Sequence, residues 1–193
     1  MEMRDSQATL RPAITLLLLQ TIRERTNWYG ETKVQECLFF LQETQNVPLG
    51  FRFILYGHGP FSFDLRELLG ELRANALIDL RIGSPLGPSL DVAPIGTRLL
   101  ERHAHLCAPY ADAVARVVGV LAGYGMPELE RLSTSLYVAQ RHGELSASAR
   151  ARLVVDLKPH IPEDEANAAM HQIDQLIGAV ANRAMPPTVD AIR

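Results

Sequence analysis

The stretch SFDLRELLGELRANALIDLRIGSPLGPSLDVAPI, residues 62–95, decides the fold class of this chain. Its first part carries apolar residues at helical spacing behind a serine in the N-cap position. The apolar set is Leu65, Leu68, Leu69, Leu72 and Ala76, and the cap is Ser62. Residues 77–82 then alternate apolar and charged side chains, and residues 90–95 follow the turn 83–89 as a returning strand. The pattern predicts a helix followed by a β-hairpin.

Two further helices are predicted upstream of this stretch. Residues 9–26 form the first, and Gly30 separates it from the second, which opens with Thr32 and Gln35 at capping-box spacing. The apolar face of the second helix comprises Val34, Cys37, Leu38 and Leu41. Three helices followed by a hairpin is the order of a winged helix-turn-helix domain, which we place at residues 1–96.

Downstream of residue 96 the sequence predicts only helices. The expected ranges are 97–107, 109–122, 127–142, 146–157 and 162–183, with Pro109, Pro127, Pro162 and Gly143 near their ends. We therefore expect a helical bundle or cap over residues 97–185 and a mobile tail at 186–193. The predicted fold class is mainly α with a small β-hairpin.

The composition excludes several classes of protein. The formal net charge of −3 gives no bulk basicity that would indicate a nucleic-acid partner. Cys37 and Cys107 lack the spacing of a metal or redox motif, and the apolar run at 13–22 is too short to cross a bilayer. We expect a cytoplasmic protein with no membrane contact, no metal and no cofactor.

The segment YGHGPFSF, residues 56–63, crowds glycines, a histidine and aromatic rings together. It lacks the spacing and the lysine of a phosphate-binding loop. We interpret it as a strand-to-helix corner in which glycines and a proline bend the chain and aromatic rings anchor it in the core. The residues of this structural motif are Tyr56, Gly57, Gly59, Pro60, Phe61, Ser62 and Phe63.

Four blocks of the chain, taken together and in this order along the sequence, resemble a known protein family. They read ETKVQECLFFLQE, FRFILYGHGPFSFDLRELLGELRANALI, ELERLSTSLYVAQRHG and LKPHIPEDEANAAMHQIDQL. Together they resemble the YwgA-like family of small bacterial and phage-associated proteins, and more distantly the Panacea-type (SocA-like) antitoxin and adaptor domains. The resemblance implies a winged-helix fold with a helical extension, supplies no catalytic residues, and makes an antitoxin or defence-linked role a third hypothesis for the function.

Two pairs of residues have side chains that could form a chemical site. His58 and Asp64 could form an acid–base pair, but no nucleophile motif lies beside them. His103 and Cys107 stand four residues apart, which gives two metal ligands at most. We expect neither a catalytic nor a metal site, and we expect the protein not to be an enzyme.

The predicted function is that of a regulatory or adaptor protein acting through protein contacts. The outward face of the third helix carries three carboxylates against two guanidinium groups, which suits DNA poorly. The alternative is a DNA-binding transcriptional regulator with a winged helix. Its candidate contact residues are Arg66, Arg73, Asn75, Arg81 and Lys33. A homodimer is a mild expectation under either hypothesis.

Overall fold

The computed structural model describes residues 2–26, 30–82 and 87–181. The first half of the chain folds into four helices and two short hairpins. The elements are α1 (Glu2–Arg25), α2 (Glu31–Gln45), β1 (Ile54–Tyr56), β2 (Gly59–Phe61), α3 (Phe63–Ala74), β3 (Ile78–Arg81), β4 (Ser89–Val92) and α4 (Pro94–Arg102). The second half is helical throughout its described part. It comprises α5 (Ala104–Cys107), a 3₁₀ turn (Ala108–Tyr110), α6 (Ala111–Leu121), α7 (Met126–Arg141), α8 (Ala147–Leu157) and α9 (Glu163–Ala181).

The prediction of a mainly α chain with a small β-hairpin is confirmed. β3 and β4 pair antiparallel, with Ile78 opposite Val92 and Arg81 opposite Ser89. The strands are shorter than predicted. Of the apolar residues predicted to alternate inward, only Ile78 is buried, whereas Leu80 is 36% exposed and Ile82, beyond the end of β3, is 83% exposed. Residues 83–86 of the predicted turn 83–89, together with Trp28, Tyr29 and the tail 186–193, lie outside the described residues.

Helix α1 occupies the centre of the core. Its apolar side chains are buried on all sides, which is typical of a helix surrounded by other elements. These side chains are Ile14, Leu16, Leu18, Leu19 and Ile22. α1 packs against α2, α4, α5, α6 and β4, and α2 packs against α6 and α7. Both sections of the chain thus contribute to one core, so residue 96 marks a change in element order rather than a gap between two cores.

Two local predictions about helix starts have different outcomes. The predicted cap of α3 is confirmed, because the Ser62 hydroxyl accepts a hydrogen bond from the Leu65 amide. The predicted capping box of α2 is wrong. Gly30 is the N-cap residue and no side chain caps the helix. Gln35 bonds the backbone of Ser62 instead, a tertiary contact that the local spacing could not reveal.

The predicted helix over 97–107 is interrupted. α4 begins at Pro94 and ends at Arg102, and His103 leaves helical geometry with φ −106° and ψ 22°. His103 and Cys107 therefore do not lie on one continuous helix, which removes the shared face that their spacing suggested. Within the described residues, no helix is long and apolar enough to cross a membrane.

The segment between α2 and α3 departs from a simple helix-turn-helix. Residues 46–62 contain the β1–β2 hairpin, in which Ile54 is opposite Phe61 and Tyr56 is opposite Gly59. The turn of a helix-turn-helix usually has about three or four residues. The predicted corner at 56–63 is thus a complete hairpin that leads directly into α3.

Gly96 offers a test of the packing between α4 and the β3–β4 hairpin. A Cβ at this position would collide with the carbonyl oxygen of Leu77 and lie 3.0 Å from Val92 Cγ1. Gly96→Ala is expected to lower the free energy of unfolding by about 1 to 3 kcal/mol, as overpacking does. Urea unfolding would measure this loss.

The matched control for Gly96→Ala is Gly70→Ala in α3, because a Cβ at Gly70 meets open space. That control should be neutral or stabilising, since alanine favours a helix interior by about 0.5 to 1 kcal/mol. Equal stability of Gly96→Ala and the parent protein would show that α4 is not seated on the Leu77 carbonyl.

Candidate functional site

The β1–β2 hairpin has a two-residue loop formed by Gly57 and His58. Gly59 follows the loop with φ +125°, a conformation that L side chains rarely adopt. A Cβ on Gly59 would also lie 2.8 Å from Ser133 Oγ. Gly57 has no positive φ and no neighbour within 4 Å of such a Cβ. The predicted backbone requirement for glycine therefore applies to Gly59 and not to Gly57.

Lys158, at the C-terminal end of α8, is hydrogen-bonded to the backbone of the hairpin loop. Its Nζ donates hydrogen bonds to the carbonyl oxygens of Tyr56, at 3.0 Å, and of Gly57. A third bond, of 2.8 Å, goes to Glu130 Oε1 on α7. The three acceptors suit the three protons of an ammonium group, and the Lys158 side chain is only 8% exposed. We call this arrangement the lysine clamp.

Glu130 connects the lysine clamp to His160. Its Oε2 lies 3.2 Å from Nε2 of His160. Burial alone would raise the pKa of Glu130, but the hydrogen bonds and charges of Lys158 and His160 outweigh it and hold that pKa below its usual value. Glu130 is therefore an ionised carboxylate at neutral pH, and the buried ammonium of Lys158 has a charged partner.

Glu36 of α2 also borders the hairpin and is fully buried. Its Oε1 accepts a hydrogen bond of 3.4 Å from Ser133 Oγ, while its Oε2 has no hydrogen-bond partner in the part of the chain that the structure describes. Burial raises the pKa of Glu36 well above its ordinary value, and the charge of Glu130 adds to this effect. Glu36 therefore holds its proton to higher pH than an exposed glutamate does, and its side chain packs beside Gly59.

Gln35 fixes the exit of the hairpin into α3. Its amide oxygen accepts from the Ser62 amide at 2.9 Å, and its amide nitrogen donates to the Ser62 carbonyl at 3.1 Å. Both groups are buried. Because Ser62 stands between Phe61 and Phe63, this pair of bonds sets the direction in which both rings leave the backbone.

The held hairpin presents aromatic rings to solvent rather than to the core. Tyr56 is 59% exposed, Phe63 50% and Ile54 45%. The ring centroids lie 5.6 Å apart for Tyr56 and Phe61 and 5.1 Å apart for Phe61 and Phe63. We call Ile54, Tyr56, Phe61 and Phe63 the aromatic patch. The predicted anchoring of Tyr56, Phe61 and Phe63 in the core is wrong, because these rings pack on one another at the surface.

Arg66 borders the aromatic patch. Its guanidinium lies 4.8 Å from the centroid of the Phe61 ring and bonds Glu31 through two contacts of 2.9 and 3.3 Å. The hydrogen bond and charge of Glu31 raise the pKa of Arg66. Arg66 is therefore an exposed cation held in a fixed direction by a carboxylate and a ring.

The other residues predicted for DNA contact lie in different environments. Arg73 and Asn75 are exposed at the end of α3, where Asn75 Nδ2 donates to the Glu71 carbonyl. Arg81 forms an ion pair with the buried carboxylate of Asp91, which Arg23 also approaches. Lys33 is buried, and its Nζ donates to the carbonyl of Ala122 at 3.3 Å. Burial lowers the pKa of Lys33. We therefore assign this side chain to the packed interior rather than to a surface that contacts DNA.

Among the described residues, no hydrogen bond or ion pair joins the side chains of His58 and Asp64 or those of His103 and Cys107. His58 is exposed at the hairpin tip, and Asp64 pairs with Arg52 at 3.5 Å. Cys107 is buried, and burial raises the pKa of its thiol. Among the described residues there is no group of three or more side chains that could hold a metal ion.

Sequence reasoning missed the residues that hold the hairpin. Glu36, Glu130, Ser133 and Lys158 come from α2, α7 and the end of α8, and they meet only in three dimensions. One signal was available: Glu36 directly precedes Cys37 and Leu38 within an apolar face, where a carboxylate needs a buried partner or must become neutral. Nothing local pointed to its neighbours.

Comparison with known proteins adds no family. A scan against protein-family models finds no match, and a search of curated proteins finds none either. The YwgA-like and Panacea-type resemblance therefore stays a prediction that rests on the four sequence blocks.

The lysine clamp is tested by Lys158→Met, which keeps the length of the side chain and removes its charge. The variant removes one partner of the largely buried Glu130 carboxylate and the hydrogen bonds to the carbonyls of Tyr56 and Gly57, so the free energy of unfolding should fall by about 3 kcal/mol. Arg152→Met is the control, because Arg152 is exposed and its Glu163 partner lies 4.0 Å away. The control should change stability by less than about 0.5 kcal/mol. Equal losses in the two variants would contradict the clamp.

Glu36 predicts a pH-dependent stability of defined sign. The unfolded chain releases the Glu36 proton near the ordinary pKa, whereas the folded protein keeps it to higher pH. The unfolded state then binds fewer protons, and folding becomes less favourable as pH rises toward the folded pKa. Glu36→Gln removes this titration, so the stability of the variant relative to the parent should increase as pH rises above the ordinary pKa of glutamate.

Urea unfolding across that pH range measures the effect, with the exposed Glu163→Gln as control. A stability difference between Glu36→Gln and the parent that stays constant with pH would show that Glu36 is ionised in the folded protein.

Proposed function

We propose that this protein is a non-enzymatic regulatory or adaptor module that binds a protein partner through the aromatic patch. The observation that carries the proposal is the exposure of Ile54 and Tyr56 on a hairpin held by buried polar groups, and of Phe63 directly after it. Aromatic rings are enriched at the energetic centres of protein interfaces, where they bury much area with few rotatable bonds.

The rigidity of the patch supports the same function. Each ring packs against at least one other ring. The backbone that carries the rings is hydrogen-bonded to Lys158 at Tyr56 and to Gln35 at Ser62, and Lys158 is in turn bonded to Glu130. A surface ordered before binding loses less conformational entropy when a partner docks. Burying two half-exposed aromatic side chains can contribute several kcal/mol, of the order needed for a regulated protein contact.

The remaining features of this proposal follow from the sequence and the fold. The winged-helix assignment rests on the order α1, α2, α3 and the β3–β4 hairpin. A cytoplasmic location is supported by Cys37 and Cys107, which are both buried and unpaired. A second copy of the chain is a candidate partner, because the aromatic patch could pack on its own symmetry mate.

DNA binding is the second candidate function. It is supported by Arg66 and Arg73, which lie one above the other on α3 beside the β3–β4 hairpin. Three contacts weigh against DNA binding, because each occupies a cation that would otherwise be free to bind phosphate. They are the bond from Arg66 to Glu31, the ion pair of Arg81 and the buried bond of Lys33.

A photocrosslinking amino acid, benzoylphenylalanine, tests the proposal when placed at position 63 in the native cell. We expect a discrete protein adduct from position 63 and none from position 120, since Val120 is a comparably exposed apolar residue on α6. The captured protein should bind Phe63→Ser about tenfold or more weakly than the parent, and Val120→Ser unchanged. The variants should keep the parent stability, because both sites are exposed.

A protein adduct at both positions, or equal affinity of Phe63→Ser and the parent, would overturn the proposal. A nucleic-acid adduct at position 63, with duplex binding that weakens steeply as salt rises, would favour the second candidate.

A further inference from the structure

A groove runs beside the aromatic patch, between α3, the start of α2 and the β3–β4 hairpin. We call the apolar residues that line the groove its floor and the polar and charged residues that line it its rim. The floor comprises Leu69, Gly70, Leu80, Pro88 and Leu90, and the rim comprises Glu31, Thr32, Arg66 and Arg73. The groove has a volume of about 550 Å³, and a neighbouring hollow shares Gly70, Arg73 and Leu80 with it. This volume is typical of a ligand-binding cleft.

Gly70 is the unexplained residue of this groove. It lies in the middle of α3, where glycine weakens a helix relative to alanine. No positive φ requires it, and a Cβ would meet nothing within 4 Å. Neither the backbone nor the packing of the residues that the structure describes accounts for the glycine. Its effect is to leave the groove open at the point where a ligand would approach α3 most closely.

The charges on the rim select the ligand. Arg66 and Arg73 stand one turn above and one turn below Gly70 on the same side of α3. Arg66 is already bonded to Glu31. Arg73 is exposed and has no ion pair or hydrogen bond from its side chain to any residue in the described ranges 2–26, 30–82 and 87–181. An apolar floor beside a free guanidinium complements an apolar side chain next to a carboxylate.

From these observations we infer that the groove binds a short acidic segment of a protein partner. An apolar side chain of the segment lies over Gly70 against Leu80 and Leu90, and a carboxylate accepts hydrogen bonds from Arg73. The inference rests on the proposed function and extends it, because Arg66 contacts Phe61 and so joins the groove to the aromatic patch. The partner would contact both parts of one continuous surface.

Selection of a random 12-residue peptide library displayed on phage, with the full chain as bait, tests the inference. The enriched peptides should carry Asp or Glu next to an apolar residue. A synthetic peptide of that sequence should bind Arg73→Glu at least about tenfold more weakly than the parent. Arg102→Glu, the same charge change at an exposed site on α4, should leave the affinity unchanged. Replacing the acidic residue of the peptide by Lys should restore binding to Arg73→Glu.

Gly70 provides a readout that a purely structural role cannot give. Gly70→Ala and Gly70→Gln should raise the melting temperature by about 2 to 4 °C, because both residues favour a helix interior. The same variants should weaken peptide binding about tenfold or more, with the larger Gln having the larger effect. Higher stability with lower affinity is the expected combination.

The outcomes separate this inference from the proposed function. If the photocrosslink at position 63 is retained while Arg73→Glu and Gly70→Gln bind peptide normally, the groove inference fails and the proposed function stands. Enrichment of peptides without acidic residues, or no enrichment, also overturns the inference. So does duplex DNA binding that Arg73→Glu abolishes, because the groove would then belong to nucleic acid.

Discussion

The exposed surface of this protein depends on one buried ammonium group. Lys158 Nζ is bonded to the carbonyls of Tyr56 and Gly57 and to Glu130, and so ties the β1–β2 hairpin to α7 and α8. Removing an ammonium from water is costly, and full hydrogen bonding with a paired carboxylate offsets that cost. Hydrogen bonds have narrow distance and angle requirements, so these three contacts restrict the position of the hairpin relative to α7 and α8.

Glu36 also contacts the hairpin. It lies beside Gly59 together with Ser133. The pKa values of the two acids shift in opposite directions for a physical reason: burial raises the pKa of Glu36, whereas the hydrogen bonds and charges of Lys158 and His160 outweigh burial and lower the pKa of Glu130. The rings of Tyr56 and Phe63 beside this polar cluster remain exposed to solvent.

The sequence could predict the elements whose signals are local. The periodicity of residues 65–72, the serine cap at Ser62 and the alternation at 77–82 led to α3 and the β3–β4 hairpin. The aromatic patch was misjudged, because high aromatic content is typical of cores and composition does not show which way a ring points. The lysine clamp could not be predicted from the sequence, because Lys158 is separated from Gly57 by 101 residues and two of its acceptors are backbone carbonyls.

Amide hydrogen exchange of the unliganded chain tests the central claim most directly, namely that buried polar contacts hold the hairpin rigid before any partner binds. The amides of residues 54–63 should be protected to a degree comparable with those of α2, and Lys158→Met should lose that protection locally. Exchange of these amides at the rate of an open loop in the parent protein would contradict the account.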